Sequence, residues 1–370
     1  MARFNLPDVD FVEITPEEIE EIAVQKFESL HPGAALSEAD PRRKMIQAFV
    51  YAASMIANNI DYTGKQNRLA FAEDEYLDHI GEERNIPRLE PKPAETTLRF
   101  DVTNVVDYVI PANTEVTNGV VTFVPKNDVL AKATDEYVTV EAVCTTEGTE
   151  GNGILVGELS TMSNPISWVT KVSNITVTSG GYDWEENDAY AERIYLSPEG
   201  YSTAGPELAY IYHAKSAHQG IVDVQVLSPS EATVAIYPLM SGGELANEDV
   251  KTKILEACNR RDVRPLTDLV IVEDPEVVYY DLTITYYLPE YARSRQSDFD
   301  TAIGSAISGY KTWQRSKLGR GIDPGELYSA LLKADAKRVT VEPNVFVSLE
   351  KNQVARDRDI IIEFGGFIDD

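Results

Sequence analysis

The chain has 370 residues, 43% of them hydrophobic, and its 61 acidic and 33 basic residues give a net charge of -28. At about 150 residues per domain, this length predicts two or three domains with real cores and excludes general disorder. The negative charge repels nucleic acid and anionic lipid, so it argues against direct binding of DNA or of a membrane surface.

The start of the chain predicts synthesis in the bacterial cytoplasm. Its first ten residues lack the continuous apolar core of a signal peptide, and acids appear early. The longest nearly apolar run, from Phe49 to Ala57, is far shorter than the ~20 residues that cross a bilayer. We therefore expect no membrane partner. The two cysteines, Cys144 and Cys258, fall in a predicted strand and a predicted helix, so we expect free thiols.

The first 90 residues have the pattern of helices. Thr15-Pro16-Glu17-Glu18 is a strong helix start, and Asp40-Pro41 is a second one. A shorter helix is predicted around 75–83, before a proline-rich linker.

The second of these helices has an apolar face. Its members are Met45, Phe49, Ala52 and Ile56, at intervals of four, three and four residues. Such a face must be covered, either by its own domain or by another subunit. We predict that these four residues form an interface.

Residues 95–180 change to short β-type runs separated by turns. The strands are predicted at 97–102, 108–110, 120–124, 137–143 and 175–178. Residues 181–290 follow with the order helix, loop, helix, strand, strand, helix, strand, strand, in which Asn247 caps a helix.

The remainder, residues 291–370, combines helices and strands. One helix is predicted from Ser297 with Asp300 in the capping-box position, and another follows Asp323-Pro324-Gly325-Glu326. Strands are predicted at 339–349 and 360–364. The sequence thus predicts an α+β, multidomain fold: an N-terminal helical region (1–90), an inserted small β domain (95–180), a central α+β domain (181–290) and a C-terminal helix/strand domain (291–370).

No pattern of residues indicates catalysis, a cofactor or a metal. Four scattered histidines, including His213 and His218 five residues apart, do not form a zinc pair, and we expect them on helix surfaces. The glycine-rich stretch 148–157 lacks the Lys-Ser/Thr of a phosphate loop and is expected to be a turn between strands. Acidic clusters near residues 17–21 and 73–75 are typical of solvated helix faces rather than of paired catalytic carboxylates.

The segment 196–214 joins a loop to a helix start. Ser202, Thr203 and Gly205 can cap or turn the chain, Pro206 suits the first helical position, and Glu207 complements the helix dipole. With other motifs, this segment resembles the baseplate J-like proteins, wedge subunits of contractile phage tails. The residues that carry the resemblance are Asp40-Pro41-Arg42-Arg43, 75–80, Arg84, Pro87-Arg88, 110–114, Gly151-Asn152-Gly153, 172–174, Gly180-Gly181-Tyr182-Asp183, Arg193, Ser197-Pro198, 202–206 and 264–268.

The resemblance implies a structural role in the baseplate of a virion tail or phage-tail-like particle, without enzymatic activity. In the family, two copies in different conformations combine with one tail protein I-like wedge subunit through a helical bundle, and six wedges ring a central hub. The wedge also contacts its neighbours and a lysozyme-like sheath initiator. It transmits the switch that triggers sheath contraction.

Two other classes of protein remain open. A host-adhesion or other tail structural protein predicts an aromatic-rich receptor domain and trimeric repeats. A carbohydrate-active tail enzyme predicts repeated β-rungs and a cleft of acids.

Overall fold

The computed structural model describes residues 3–33, 35–103, 105–202 and 204–369. The chain forms two compact units. The first contains Met1–Glu90 and Trp184–Tyr195, and the second contains Pro91–Asp183 and Leu196–Asp370. The predicted α+β, multidomain class is confirmed. Residues 184–195, which we expected to open the central domain, fold with the N-terminal helices instead. The finer division into four parts stays a prediction.

Within the described ranges the chain forms eight α-helices. They are α1 Pro16–Leu30, α2 Pro41–Gln66, α3 Asp74–Glu82, α4 Asn187–Leu196, α5 Glu207–Ala217, α6 Glu248–Cys258, α7 Gln296–Arg315 and α8 Pro324–Lys333.

The same residues form fourteen strands. They are β1 Pro93–Val102, β2 Tyr108–Ile110, β3 Val116–Thr117, β4 Thr122–Pro125, β5 Val129–Ala131, β6 Tyr137–Glu147, β7 Thr161–Met162, β8 Val169–Asn174, β9 Ile221–Leu227, β10 Thr233–Met240, β11 Leu269–Val272, β12 Glu276–Pro289, β13 Arg338–Glu342 and β14 Gln353–Ile368.

In the first unit, both predicted helix starts form. Thr15 and Glu18 make a reciprocal capping box at the start of α1, and the Asp40 carboxylate accepts from the Arg42 N–H at the start of α2. A small core joins α3 and α4, where the fully buried Tyr190 donates its hydroxyl to the Ile86 carbonyl at 2.6 Å. This core is small for a unit of its length.

A buried ion pair secures the end of α4. The Arg193 guanidinium lies 2.6 Å from the Glu185 carboxylate, and both side chains are 5% exposed. Arg193 also donates to the Pro87 carbonyl, and Glu185 accepts from the Leu89 N–H. The pair therefore fixes α4 to the proline-rich segment that we predicted as a linker.

The second unit begins with the β domain. Its six-stranded sheet has the order β7-β3-β4-β6-β1-β8, and a two-stranded sheet pairs β2 with β5. Alternate side chains of β1 point into a core that includes Leu98 and Phe100.

The predicted strand at 175–178 is wrong. β8 ends at Asn174, whose fully buried amide accepts from the N–H groups of Gly157 and Leu159 and donates to the carbonyls of Leu155 and Thr176. These bonds occupy the Asn174 side chain with a neighbouring loop, and the chain leaves the sheet at this point.

The central part follows the predicted order of elements. β9 and β10 form the expected antiparallel hairpin, and β11 pairs with β10 in parallel. Helices α5 and α6 pack on this sheet around Tyr210 and Ile254, and Asn247 caps α6 by accepting from the Val250 N–H. Pro206 lies one position before the expected one, at the N-cap of α5.

The C-terminal part is a three-stranded sheet, in the order β13-β12-β14, packed against α7 and α8. Asp323 caps α8 as predicted, but the box of Ser297 and Asp300 does not form. Helix α7 begins at Gln296, and Asp300 accepts instead from the Tyr286 hydroxyl at 2.6 Å.

Two strand lengths also differ from the prediction. β13 ends at Glu342, before a cis peptide bond to Pro343, rather than continuing to Leu349. β14 is much longer than the predicted 360–364, because its pairing with β12 extends over 353–368.

Candidate interaction surfaces

The motif Gly180-Gly181-Tyr182-Asp183 forms an internal joint. A Cβ atom on Gly181 would lie 2.2 Å from the Gly148 carbonyl oxygen, so the backbone approach there requires glycine. The Asp183 carboxylate accepts from the N–H and the hydroxyl of Thr149. Gly181 and Asp183, two of the residues that carry the family resemblance, thus hold the end of the β domain against the loop at 148–149.

The same joint reaches the central part of the second unit. Tyr182 packs edge-on against His218 with ring centroids 4.9 Å apart, and its ring covers Gly220. Gln219 donates to the Asp183 carbonyl at 2.8 Å. The β domain and the central part are therefore held together by the residues at 180–183.

The motifs at 202–206 and 264–268 form a second joint. Gly205 has a φ of +75°, which favours glycine, and a Cβ atom there would lie 2.8 Å from Pro265. The Arg264 guanidinium donates to the carbonyls of Pro265 and Asp268, and Asp268 accepts from the Tyr210 hydroxyl. Thr203 lies outside the described residues. The most distinctive motifs of the sequence thus meet one another and support the fold.

The histidines lie in helices α3 and α5 or at the ends of α1 and α5. Among the described residues, no group of three or more His, Cys, Asp or Glu side chains is placed to hold a metal ion. We expected helix-surface positions, but His218 is buried at the end of α5, since Tyr182 covers it. Burial, with Lys92 and Lys253 nearby, lowers the pKa of His218 to about 4.

Both cysteines are buried free thiols, as predicted. Burial raises the pKa of Cys258 to about 12, so its thiol is unreactive at neutral pH. The stretch 148–157 is a turn region in which Gly148, Gly153 and Gly157 all have positive φ.

The four predicted interface residues of α2 lie on one side of that helix and face solvent. Met45 is 65% exposed, Phe49 is 73% exposed and Ile56 is 61% exposed, and Ala52 between them is also exposed. We call these four residues the α2 face. Its spacing of four, three and four residues is that of a heptad seam.

The opposite side of α2 explains why the α2 face is free. Val50 is buried, and Arg43 and Gln47 bond to Glu20 of α1 at 2.7 Å and 3.0 Å. These bonds, that of Arg43 first, hold the pKa of Glu20 below its ordinary value. Helix α1 therefore packs on the side of α2 that turns away from the α2 face.

Sequence reasoning missed the extent of this apolar surface. Met55 and Ile60 are also more than half exposed, and they follow Ala52 and Ile56 at helical intervals of three and four. The signal was present in the sequence as a continuation of the same stripe. A contiguous exposed apolar stripe of this length is typical of a protein interface rather than of a free surface.

Within the described ranges, no helix has the length and hydropathy needed to cross a membrane. The side of α2 that contacts α1 carries the polar residues Arg43 and Gln47.

Three family models match the chain in consecutive order. The Baseplate J-like N-terminal domain matches residues 38–95, the Baseplate J-like protein barrel domain matches residues 97–181 and the Baseplate J-like central domain matches residues 202–274. Together they cover more than half of the chain.

The chain is similar to a curated protein and to a chain of a solved structure. Baseplate protein J of Escherichia phage P2 is 31% identical over 200 residues, which are 54% of this chain and 65% of that protein. The match spans just under two thirds of the relative's length. A cryo-EM structure of the six-fold symmetrised anti-feeding prophage baseplate contains a chain with 12% identity and a TM-score of 0.45, and the match covers 97% of this chain and 95% of that one. A likeness this weak carries no argument about function.

Proposed function

The chain belongs to the baseplate J-like family, and we propose that it is a structural component of the baseplate of a contractile tail. The α2 face is the observation that carries this proposal. An apolar stripe that the chain leaves exposed must be covered in the working assembly, because water contact with each such side chain is unfavourable by about 1.5–3 kcal/mol.

The kind of partner follows from the spacing of the stripe. Side chains at heptad intervals pack into the grooves of a nearly parallel helix, so the partner surface is helical. We propose that the α2 face packs in a helical bundle with a tail protein I-like wedge subunit and with a second copy of this chain. We propose that residues 185–290 and the C-terminal helices contact neighbouring wedges. The family resemblance implies that the wedge also meets the central hub and a lysozyme-like sheath initiator.

A wedge role needs no active site. Two conformers of one chain can occupy different places in a ring if their alternative interface packings lie close in free energy. The chain's motif residues at 180–183 and 264–268 are used in internal hydrogen bonds, which supports a structural role without catalysis. The proposed location is the tail baseplate of a virion or of a phage-tail-like particle.

Co-purification with the tail protein I-like subunit tests the interface. The double variant Phe49→Glu and Ile56→Glu places two charges in the proposed bundle, where an unpaired buried charge is strongly unfavourable. We expect the recovery of the partner to fall by at least about tenfold. Native mass spectrometry of the unmodified complex is expected to show two copies of this chain for each partner.

A matched control separates binding from folding. Glu17→Lys and Gln25→Lys change exposed residues of α1, and we expect normal recovery of the partner. The far-UV circular dichroism of all variants is expected to match that of the parent chain, because every substituted side chain is exposed. Undiminished recovery with the Phe49 and Ile56 double variant would refute the proposed interface.

A further inference from the structure

The C-terminal strand β14 lies at the edge of its sheet. The order of the sheet is β13-β12-β14, and within the described part of the chain no strand pairs with the other side of β14. An edge strand presents a row of unpaired backbone N–H and C=O groups that can accept another strand. β14 is the longest strand of the described residues, so this row is long.

The centre of β14 is a regular template. Residues 360–364 pair with 282–286 of β12 without interruption, and the irregularities of the register lie on either side of this stretch. Bulges and inward charges usually protect exposed edges, but neither occurs within these five residues. The segment is therefore regular enough to pair with an additional strand.

The side chains of this stretch are apolar on one face and remain exposed. Ile362 is paired with the buried Ile284, and the Phe364 ring lies 5.5 Å from that of Tyr286. Even so, Ile362 is 49% exposed and Phe364 is 38% exposed. An added strand with apolar residues on this face would extend the core that lies between the sheet and α7.

The other face of residues 360–364 favours an added strand with positively charged side chains. It carries Glu363 and the exposed Ile361, beside Thr285 and Thr283 of β12. A basic side chain opposite Glu363 would be favourable, and an acidic one would be unfavourable. The chain as a whole is strongly acidic, which also favours a basic partner.

A second copy of this chain also carries a net charge of -28, so two acidic chains would repel one another at this edge. In one antiparallel register of two β14 strands, centred on Ile361, Asp359 of each copy would also face Glu363 of the other. Like charges directly opposite one another destabilise a strand pair. We propose that β14 accepts, as a fourth strand, a segment of another protein in which apolar residues alternate with lysine or arginine.

A synthetic peptide of about nine residues, with valine alternating with lysine, tests this proposal on the full chain. We expect it to bind and to slow hydrogen exchange of the amides at 360–366. A valine and glutamate peptide of the same length is expected to bind at least about threefold more weakly. Because the assay contains no other baseplate protein, its failure would leave the proposed baseplate role untouched.

A charge reversal supplies the matched comparison. Glu363→Lys is expected to reverse the preference between the two peptides, whereas Glu342→Lys, on the opposite edge strand β13, is expected to leave it unchanged. Equal binding of both peptides, or exchange at 360–366 that no peptide slows, would overturn the proposal. Self-association of the chain that protects the same amides would show that a second copy is the occupant, and would overturn it as well.

Discussion

Asn174 makes four hydrogen bonds from a side chain that is 0% exposed, and they determine where the β domain's last strand ends. The sequence pattern alone predicted a strand at 175–178, directly after the observed end of β8, because β-branched residues are frequent there. A buried amide that bonds to a loop almost twenty residues away has no signature in local composition. The same limit applies to Tyr182 and His218, whose contact buries a histidine that helical spacing placed on the surface.

Asn174→Ala tests the importance of that amide. The substitution leaves the Leu159 N–H without its acceptor, whereas the Gly157 N–H keeps the backbone carbonyl of residue 174 at 3.0 Å. A buried unsatisfied group destabilises by about 1–3 kcal/mol, so we expect the free energy of unfolding to fall by about 2 kcal/mol in urea denaturation. Asn118→Ala, which removes the acceptor of an exposed turn, is the control and should lower it by about 1 kcal/mol. Equal losses would contradict the role of burial.

His218 predicts a dependence of stability on pH. Its pKa falls from 6.5 in the unfolded chain to about 4 in the folded one, chiefly because burial disfavours the charged ring. Between these values the unfolded state binds more protons, so stability falls as the pH decreases. From pH 7 to pH 5 the expected loss is about 2 kcal/mol.

Denaturation of His218→Asn at the two pH values checks this expectation. Asparagine keeps an acceptor for the Gly220 N–H that bonds to the His218 ring, but it does not titrate. The variant should therefore lose about 2 kcal/mol less than the parent chain over this pH interval. His79→Asn, at an exposed position, should behave like the parent. A variant as sensitive to acid as the parent would show that other groups are responsible.

At the scale of elements, helix starts were predictable where the capping residue acts locally. Thr15, Asp40, Asn247 and Asp323 all cap as their positions indicate, because the bond joins residues two or three apart. Asp300 did not, since the Tyr286 hydroxyl on a distant strand competes for its carboxylate. The length of β14 was also unpredictable, because its partner β12 lies some 80 residues earlier in the chain and supplies the register.

Two alanine substitutions distinguish a real cap from an apparent one. Asn247→Ala removes the acceptor of the Val250 N–H and should lower stability by about 1 kcal/mol. Ser297→Ala lies inside α7 and makes no capping bond, so it should change stability by less than about 0.5 kcal/mol. Thermal unfolding of both variants provides the measurement. A larger effect at Ser297 than at Asn247 would support the capping box that the sequence suggested.

At the scale of the whole molecule, the sequence indicated the α+β class and the change of character near residue 90. It did not indicate that α4 belongs with the N-terminal helices, because the evidence is a set of contacts between segments about 100 residues apart. The α2 face was visible as a pattern, whereas its exposure required knowing that α1 packs on the opposite side.

Protection from hydrogen exchange should differ between parts of the molecule. Helix α1 has no buried residue and α2 has only Val50 and Gln66, whereas β1 alternates buried side chains along its whole length. Segments with few buried contacts open more readily. We expect amides of α1 and α2 to exchange at least about a hundredfold faster than those of β1, as measured by mass spectrometry. Binding of the bundle partner should slow exchange in α2, and equal protection of α2 and β1 in the free chain would contradict this picture.

The chain enters and leaves the β domain at adjacent points. The N–H of Lys92 donates to the Tyr182 carbonyl at 2.8 Å, and the N–H of Tyr182 donates back to Lys92 at 2.9 Å. Because the two ends of the β domain are hydrogen-bonded to each other, the domain can gain, lose or exchange residues without displacing the segments on either side. This position therefore suits evolutionary insertions and the grafting of a reporter module.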